Sequence, residues 1–350
     1  MKTFKKLVLS SAIIASSLTA FSANAKDSYE VCWSHYTGWE PYYLLDQTGI
    51  LQKWEDKYDI DIKVTMVNDY IESINLYTTG QFDACTMTNM DALTIPAVGG
   101  VDSTAIIMGD YSNGNDGVVI KNGSSIADLK GREVNLVELS VSHYLLSRAL
   151  QKEGMSERDL TVVNTSDADI ASLFVSNPDA AAVTWNPPLQ ILRNAKGANL
   201  VFDSSEVPEE IMDMLVVRSD VDEKFKKAMT GAWYELMSKL NTRGKESSDL
   251  IATMASNSGS TVAEFKAQLK TTHMYYSAQE AAEVFKSDRV VKTMDYVRNF
   301  SFDHGLFGMG ASTPDFVGIE FPAGKTLGNK DNIKLRFDPS YMEMAAKGEL

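Results

Sequence analysis

Aromatic and acidic side chains cluster in the loop that follows the first strand-like run of the sequence. Residues 29–33 have the pattern of a strand, and the loop 34–40 ends on Trp39 and Glu40. The face of an aromatic ring attracts a cation by about 0.5–2 kcal/mol, depending on desolvation. A carboxylate accepts paired N–H donors from a guanidinium group. This loop therefore predicts a binding site for a small planar cation.

Three further carboxylates, Asp69, Asp91 and Glu138, fall near predicted strand ends or helix starts. We expect each of them, like Glu40, to contact the ligand. Each also has a structural interpretation, because an acidic side chain complements the positive end of a helix and Asp69 can cap one.

Hydrogen-bonding side chains occupy two other helix starts. Thr88 and Asn89 follow the third predicted strand and either bind ligand or cap the next helix, while Ser140 and His143 begin a helix in the second half of the chain. Backbone N–H groups at such a helix start bind anions in many proteins. Glu138 stands directly before this start and would oppose an anion, so the pattern favours a neutral or cationic ligand.

Trp185 and Asn186 end the last predicted strand of the second α/β series. Pro187 and Pro188 follow them and forbid continued ladder hydrogen bonding. Trp185 therefore either contacts the ligand or packs against the next helix. The sequence contains no convincing pairing of a nucleophile with a base, and its four histidines lack metal-ligand spacing. We therefore predict a binding site with no catalytic residue, metal or cofactor.

An alternation of strands and helices positions these residues. Apolar and alternating runs predict strands at 29–33, 61–67, 82–87, 132–137, 160–163, 180–185 and 214–217. Helical spacing predicts helices at 39–58, 71–79, 89–98, 140–153 and 167–175. Further helices are expected at 223–240, 248–254, 263–269 and 278–300, and the chain beyond 301 is expected to be an irregular surface tail. This order predicts an α/β fold with mixed, mainly parallel sheets and a helical C-terminal part.

Turn-forming residues at 110–117 predict a crossover between two lobes, and a second crossover is expected at 215–219. Lobe 1 would contain 26–111 and 218–350, and lobe 2 would contain 112–217. Asp110 and Tyr111 are hinge candidates. Ligands of open α/β sheets bind beyond the carboxyl ends of the strands, which here places the site in the cleft between the lobes.

The N-terminus and the composition indicate an exported protein. Residues 1–25 combine a basic start, an apolar stretch and Ala23-Asn24-Ala25, which predicts a signal peptide cleaved after Ala25; the alternative is an uncleaved anchor. The net charge of −14 argues against binding to nucleic acid or to anionic membranes. The two cysteines, Cys32 and Cys85, lie in strand-like runs and form either one bridge or two buried thiols.

Three segments together resemble the periplasmic solute-binding proteins of ABC importers, of the nitrate/sulfonate/taurine type. They are 39–67, the run 79–93 containing Thr79-Gly80-Gln81-Phe82-Asp83-Ala84, and 128–188, which ends on Thr184-Trp185-Asn186-Pro187-Pro188. The opening 32–42 is similar to the subgroup associated with urea carboxylase, for which urea or guanidine is the implied solute. The resemblance implies a type II-like two-lobed fold, a periplasmic monomer and a permease partner in the inner membrane.

The same resemblance leaves other functions open. Relatives bind precursors of the thiamine pyrimidine, and the enzymatic members depend on a cysteine-rich segment that this sequence lacks. A sensor-associated binding protein would carry the same kind of cleft. We expect a non-enzymatic binding protein for a guanidine-like cation, or for urea or an amide.

Overall fold

Two β-sheets, each flanked by helices, organise the described part of the chain. The computed structural model describes residues 26–350, so the predicted signal peptide lies outside the described residues. Within 26–350, no helix has the length and apolar character needed to cross a membrane.

Fourteen strands run through residues 26–350. They are β1 (Asp27–Trp33), β2 (Ile60–Met66), β3 (Ala84–Thr88), β4 (Ser103–Ser112), β5 (Asp116–Lys121), β6 (Glu133–Leu136), β7 (Thr161–Asn164), β8 (Ala181–Trp185), β9 (Ala198–Asp203), β10 (Met212–Arg218), β11 (Thr272–Met274), β12 (Gly318–Phe321), β13 (Lys325–Gly328) and β14 (Ile333–Phe337).

Thirteen α-helices accompany them in the same residues. They are α1 (Pro41–Gln47), α2 (Ile50–Tyr58), α3 (Tyr70–Thr78), α4 (Asn89–Ala92), α5 (Val141–Lys152), α6 (Asp167–Ser176), α7 (Pro188–Asn194), α8 (Glu223–Leu240), α9 (Lys245–Asn257), α10 (Val262–Leu269), α11 (Ala278–Lys286), α12 (Asp288–Asp303) and α13 (Ser340–Lys347).

The two sheets define two lobes. Lobe 1 contains a nine-stranded sheet in the order β13-β12-β14-β4-β10-β3-β1-β2, with β11 added to β4. Lobe 2 contains a five-stranded sheet in the order β7-β6-β8-β5-β9. The central strands β3, β5 and β8 are buried along their whole length, as expected of strands covered on both faces.

The predicted two-lobed α/β architecture with mixed sheets is confirmed, but its details differ. Six strand pairings are parallel and six are antiparallel, so the sheets are not mainly parallel. The helix predicted at 39–58 is two helices, because Gly49 turns the chain with φ of 70° between them. The prediction of an irregular tail beyond 301 is wrong, since β12, β14 and β13 extend the sheet of lobe 1.

The second crossover lies earlier in the chain than the sequence indicated. Strand β10 pairs with β3 and β4, so residues 212–217, assigned to lobe 2 from the sequence, belong to the sheet of lobe 1. The connections between the lobes are therefore 113–115 and 204–211. The hydroxyls of Ser112 and Ser204 join them at 2.6 Å, and Gly114 N–H donates to Ser204 Oγ at 2.8 Å.

Cys32 and Cys85 form a disulfide. They are register partners on the parallel neighbours β1 and β3, with Cα atoms 4.5 Å apart. The two free thiols that the sequence left as an alternative are therefore not what the structure contains.

Candidate functional site

A small cavity lies between the lobes, next to both crossovers. Lobe 1 and lobe 2 both line it, as a cleft closed on a small solute requires. Nine residues form its wall: Tyr36, Trp39, Tyr70, Thr88, Asp116, Val141, Trp185, Ile211 and Asp213. None of these nine is a lysine or an arginine.

Four aromatic rings make up most of the wall. Trp39 lies against Tyr36 and Tyr70, with ring centroids 5.0 and 5.4 Å apart. Trp185 of lobe 2 meets Tyr70 edge-on at 5.5 Å. Its indole Nε1 donates to His35 O at 3.3 Å and so links the end of β8 to the loop after β1. Such a set of rings can hold a cation or a flat polar molecule.

Two acidic residues, one from each lobe, belong to the same wall. Asp213 is on β10 in lobe 1, and Asp116 is on β5 in lobe 2, opposite Trp185. Asp213 Oδ2 has no hydrogen-bond partner in the described residues, although the residue is only 2% exposed. An unpartnered buried carboxylate oxygen is costly, so this atom is a candidate acceptor for ligand N–H groups.

A second layer of carboxyl groups supports the wall. Asp110 accepts the Tyr36 hydroxyl at 2.9 Å, and Asp91 accepts the Tyr70 hydroxyl at 2.7 Å. A Cβ placed on Gly38 would lie 2.1 Å from Asp110 Oδ2, so the close approach of this loop to Asp110 requires glycine. The two phenols of the cavity are thus each fixed by a buried aspartate.

Burial shifts the protonation of all four aspartates in one direction. Desolvation raises the pKa of Asp91 to about 6 and the pKa values of Asp110 and Asp116 to about 7. Desolvation, followed by repulsion from Asp110 and Asp116, raises the pKa of Asp213 well above its ordinary value. A low-polarity environment disfavours the charged form of each group, and a bound cation would reverse that preference.

Three of the predicted ligand residues line the cavity: Trp39, Thr88 and Trp185. Thr88 Oγ1 donates to Asp91 Oδ2 at 2.9 Å and caps α4, so its hydroxyl is already engaged. For Trp185, the structure places the ring in the wall while its indole N–H makes a contact across the lobes. Whether these residues bind ligand stays a prediction.

Four other predicted ligand residues are buried near the cavity but make hydrogen bonds within the protein. Glu40 binds His35 Nδ1 at 2.6 Å and Asn257 Nδ2 at 2.8 Å. Asn89 holds the second crossover, accepting Met212 N–H and donating to Glu210 O. Asn186 pairs with Asn115 in the first crossover, and Asp91 supports Tyr70 as described.

The remaining four lie away from the cavity wall. Asp69 caps α3 and accepts Ser166 Oγ of lobe 2 at 3.1 Å, and the exposed Glu138 shares an outer groove with it. Ser140 caps α5, and His143 on the same helix accepts Leu139 N–H and lies 3.2 Å from Glu157. Of the two hinge candidates, Asp110 lies behind Tyr36, and Tyr111 ends up stacked on His273 at 4.5 Å.

Sequence reasoning missed six of the wall residues, namely Tyr36, Tyr70, Asp116, Val141, Ile211 and Asp213. A signal for Asp213 was present, because a single acidic residue interrupts the apolar run 211–217. A charged residue in a fully buried strand is rare unless it has a partner or a function. The same signal marks Asp110 in the run 105–111.

Comparison with known proteins identifies the fold. Structures of the alkanesulfonate-binding protein of Xanthomonas axonopodis pv. citri bound to MOPS and of the periplasmic nitrate-binding protein of Synechocystis PCC 6803 superimpose on this chain. Their TM-scores are 0.68 and 0.59, at 17% and 12% identity, covering 84% and 93% of this chain and 99% of each of theirs. The chain has the periplasmic binding protein fold.

Sequence relatives agree over shorter stretches. Residues 54–221 match the family described as NMT1/THI5 like. A protein of Brucella abortus, provisionally named a binding protein, is 35% identical over 97 residues, which are 27% of this chain and 30% of that protein. The alignment thus spans less than a third of the length of that relative.

Proposed function

We propose that this periplasmic binding protein fold serves as the extracytoplasmic solute-binding component of an ABC import system. It captures a small nitrogenous solute in the cavity between the lobes and delivers it to a permease in the inner membrane. The protein acts as a monomer in the periplasm, without catalysis. The observation that carries the proposal is a closed interlobe wall of four aromatic rings and two buried carboxyl groups, drawn from both lobes.

Closure follows from this division of the wall. Trp39, Tyr70 and Asp213 come from lobe 1, whereas Trp185 and Asp116 come from lobe 2. A ligand that contacts both sets binds the closed form better than the open form, and only such differential affinity shifts the equilibrium. The paired serines of the two crossovers form the hinge.

The first candidate ligand is a guanidine-like cation. Its N–H groups would donate to Asp213 and Asp116, and its flat face would lie on the rings. The relatives named for alkanesulfonate and nitrate bind anions, which would meet two carboxyl groups in this wall. The chemistry of the wall therefore argues for a different solute on the shared fold.

A specific atom favours urea or a short amide as the second candidate. Trp39 lines the cavity, and its buried Nε1 has no acceptor in the described residues. A carbonyl oxygen would accept from this indole N–H, whereas a guanidinium ion has no acceptor to offer. A pyrimidine precursor of thiamine, which would fit the NMT1/THI5-like match, is the third chemistry to include in a test.

A thermal-shift screen of the purified protein tests the proposal. The probes are guanidinium chloride at millimolar concentration, urea, an amide, taurine, nitrate and a thiamine pyrimidine precursor. A ligand at a hundred times its Kd adds about 2.7 kcal/mol to the free energy of unfolding and raises Tm. We expect guanidinium or urea to do so, while a response confined to taurine and nitrate would contradict the proposal.

Trp185→Ala should weaken binding of the responding probe at least tenfold, which is about 1.4 kcal/mol. Trp54→Phe, on the outer helix α2, is the matched control and should leave the Kd unchanged. Equal titration curves for Trp185→Ala and the wild type would remove this ring from the site. A receptor-coupled sensor would pass both tests. Loss of solute uptake by cells that lack this protein would separate an importer from such a sensor.

A further inference from the structure

Two carboxyl groups lie side by side at the lobe 1 end of the cavity. Asp110 on β4 and Asp213 on β10 are register partners in antiparallel strands, and Thr88 on β3 lies on the other side of Asp213. Both aspartates are buried, at 0% and 2% exposure. The Oδ2 atom of each has no hydrogen-bond partner in residues 26–350.

Among residues 26–350, the groups around this pair supply no positive charge. The titratable side chains that face it are Tyr36 from the loop after β1, Asp116 from β5, Tyr42 from α1, and Tyr275 and Tyr276 after β11. All are phenols or carboxyls. Two adjacent carboxylates in a buried site cannot both stay charged without a partner, so either a proton or a cation lies between them.

We propose that the Asp110–Asp213 pair selects the ligand by its positive charge. In the cation-free protein the pair shares one proton. When a cationic N–H group docks against Asp213, that proton leaves to the solvent and the positive charge of the ligand replaces it. No covalent bond to the ligand forms or breaks. This inference rests on the proposed function and decides between its cationic and neutral ligands.

The protonation behaviour of the pair fits this exchange. Desolvation raises the pKa of Asp110 to about 7, while the hydrogen bond from Tyr36 lowers it in part. Desolvation and repulsion from the neighbouring carboxyl groups also raise the pKa of Asp213 well above its ordinary value, so the pair keeps a proton into neutral solution. A cation must displace that proton, so its affinity falls as the solution becomes more acidic. A neutral ligand displaces no proton, and its affinity would not fall in this way.

Isothermal titration of the full protein with guanidinium chloride tests the exchange. The titration is run at pH 6 and pH 8, each in two buffers of different ionisation enthalpy, so that the buffer dependence counts the protons released. We expect about one proton released per cation at pH 6, and a Kd at least tenfold weaker at pH 6 than at pH 8.

Variants separate this inference from a general loss of binding. Asp213→Asn should weaken guanidinium binding at least a hundredfold and remove the proton release. Tyr36→Phe keeps the ring but deletes the donor to Asp110, so it should move the midpoint of the pH dependence upward. Asp331→Asn, in the exposed turn between β13 and β14, should match the wild type in every titration.

Three results would overturn the inference. Guanidinium that binds with one Kd at both pH values and releases no proton would overturn it and leave the proposed function intact. Binding of urea but not of guanidinium would do the same and would select the neutral ligand. Failure of every probe in the screen to bind would remove the proposed function together with this inference.

Discussion

Acidic groups occupy two regions between the lobes, and the two regions treat them in opposite ways. One is the cavity. The other, which we call the seam, is the contact of α5 and Glu157 in lobe 2 with α12, His304 and the crossover residue Glu210. In the seam, the Glu210 carboxylate accepts hydrogen bonds from Nε and Nη2 of Arg148, at 2.8 and 2.9 Å. It also accepts the Tyr144 hydroxyl at 2.7 Å. The Arg148 guanidinium also lies 4.7 Å from the ring of Tyr296 on α12.

Protonation separates the two regions clearly. Burial alone would raise the pKa of Glu157, but hydrogen bonds from His143 and Ser147 lower it to about 2. Burial raises the pKa of Asp116 in the cavity to about 7 with no basic neighbour to oppose it. The carboxylates of the seam have basic or hydroxyl partners, whereas the carboxyl groups of the cavity have no basic partner in the described residues. The seam therefore joins the lobes through charges that are already paired, whereas the cavity needs a proton or a ligand to neutralise its carboxyl groups.

Among the variants considered, Asp116→Asn should have the largest effect on stability, and it should remove one raised pKa that distinguishes the cavity from the seam. Folded Asp116, with its pKa of about 7, keeps a proton that the unfolded chain has released. Its stabilising contribution is full below the ordinary pKa of an aspartate and is lost as the pH rises to about 7. Relative to the wild type, the free energy of unfolding of the variant should rise by about 2–3 kcal/mol between pH 5 and pH 7.

Thermal denaturation at several pH values measures this difference, because only Asp116 and the neighbouring Asp110 and Asp213 titrate differently in the two proteins. Asp331→Asn serves as the control and should follow the wild type at every pH. Parallel stability curves for Asp116→Asn and the wild type would mean that Asp116 is as easily charged as a surface carboxylate, and the contrast with the seam would disappear.

Glu210→Gln should break the seam with an intermediate effect. The variant leaves the Arg148 guanidinium, only 16% exposed, without its carboxylate. Hydrogen bonds to charged groups contribute about 1.5–3 kcal/mol, so we expect a loss of about 2 kcal/mol at pH 7 in thermal denaturation. Glu206→Gln is the matched control, because its partner Lys152 is 3.5 Å away and both groups are largely exposed. Equal losses for the two variants would mean that burial of the seam adds nothing.

The sequence predicted the elements of the seam more accurately than those of the cavity. Helical spacing located α5 within a residue or two, because the helical period of its apolar residues marks the buried face of an amphipathic helix. The same spacing carried the predicted helix through 278–300 without a break. The structure ends α11 at Lys286 and begins α12 at Asp288, with Ser287 extended between them.

The cavity depended on pairings that a single sequence does not display. Asp110 and Asp213 lie about a hundred residues apart, and they meet only because β10 inserts between β3 and β4. Sequence reasoning placed β10 in the other lobe, so it could not bring the pair together. Glu40 and Asn89 were candidates because of their position at strand ends, and the fold uses those positions for internal hydrogen bonds.

His304→Ala should have the smallest effect on stability, and it tests whether the ion pairs of the seam extend to its outer edge. His304 Nε2 lies 3.6 Å from Glu157 Oε1, and the imidazole stacks on Phe300 with centroids 3.9 Å apart. Because both partners are about a third exposed, loss of the ion pair should cost less than about 1 kcal/mol beyond the loss of the stacking.

His273→Ala is the matched control for this small difference. His273 also stacks on an aromatic ring, that of Tyr111, but the described residues give it no carboxylate partner within ion-pair distance. Its loss of stability in thermal denaturation should therefore reflect the ring stacking alone. If His304→Ala behaved like His273→Ala, the outer edge of the seam would act by ring packing alone. The paired charges of the seam would then be limited to Glu157, His143 and the Arg148–Glu210 pair.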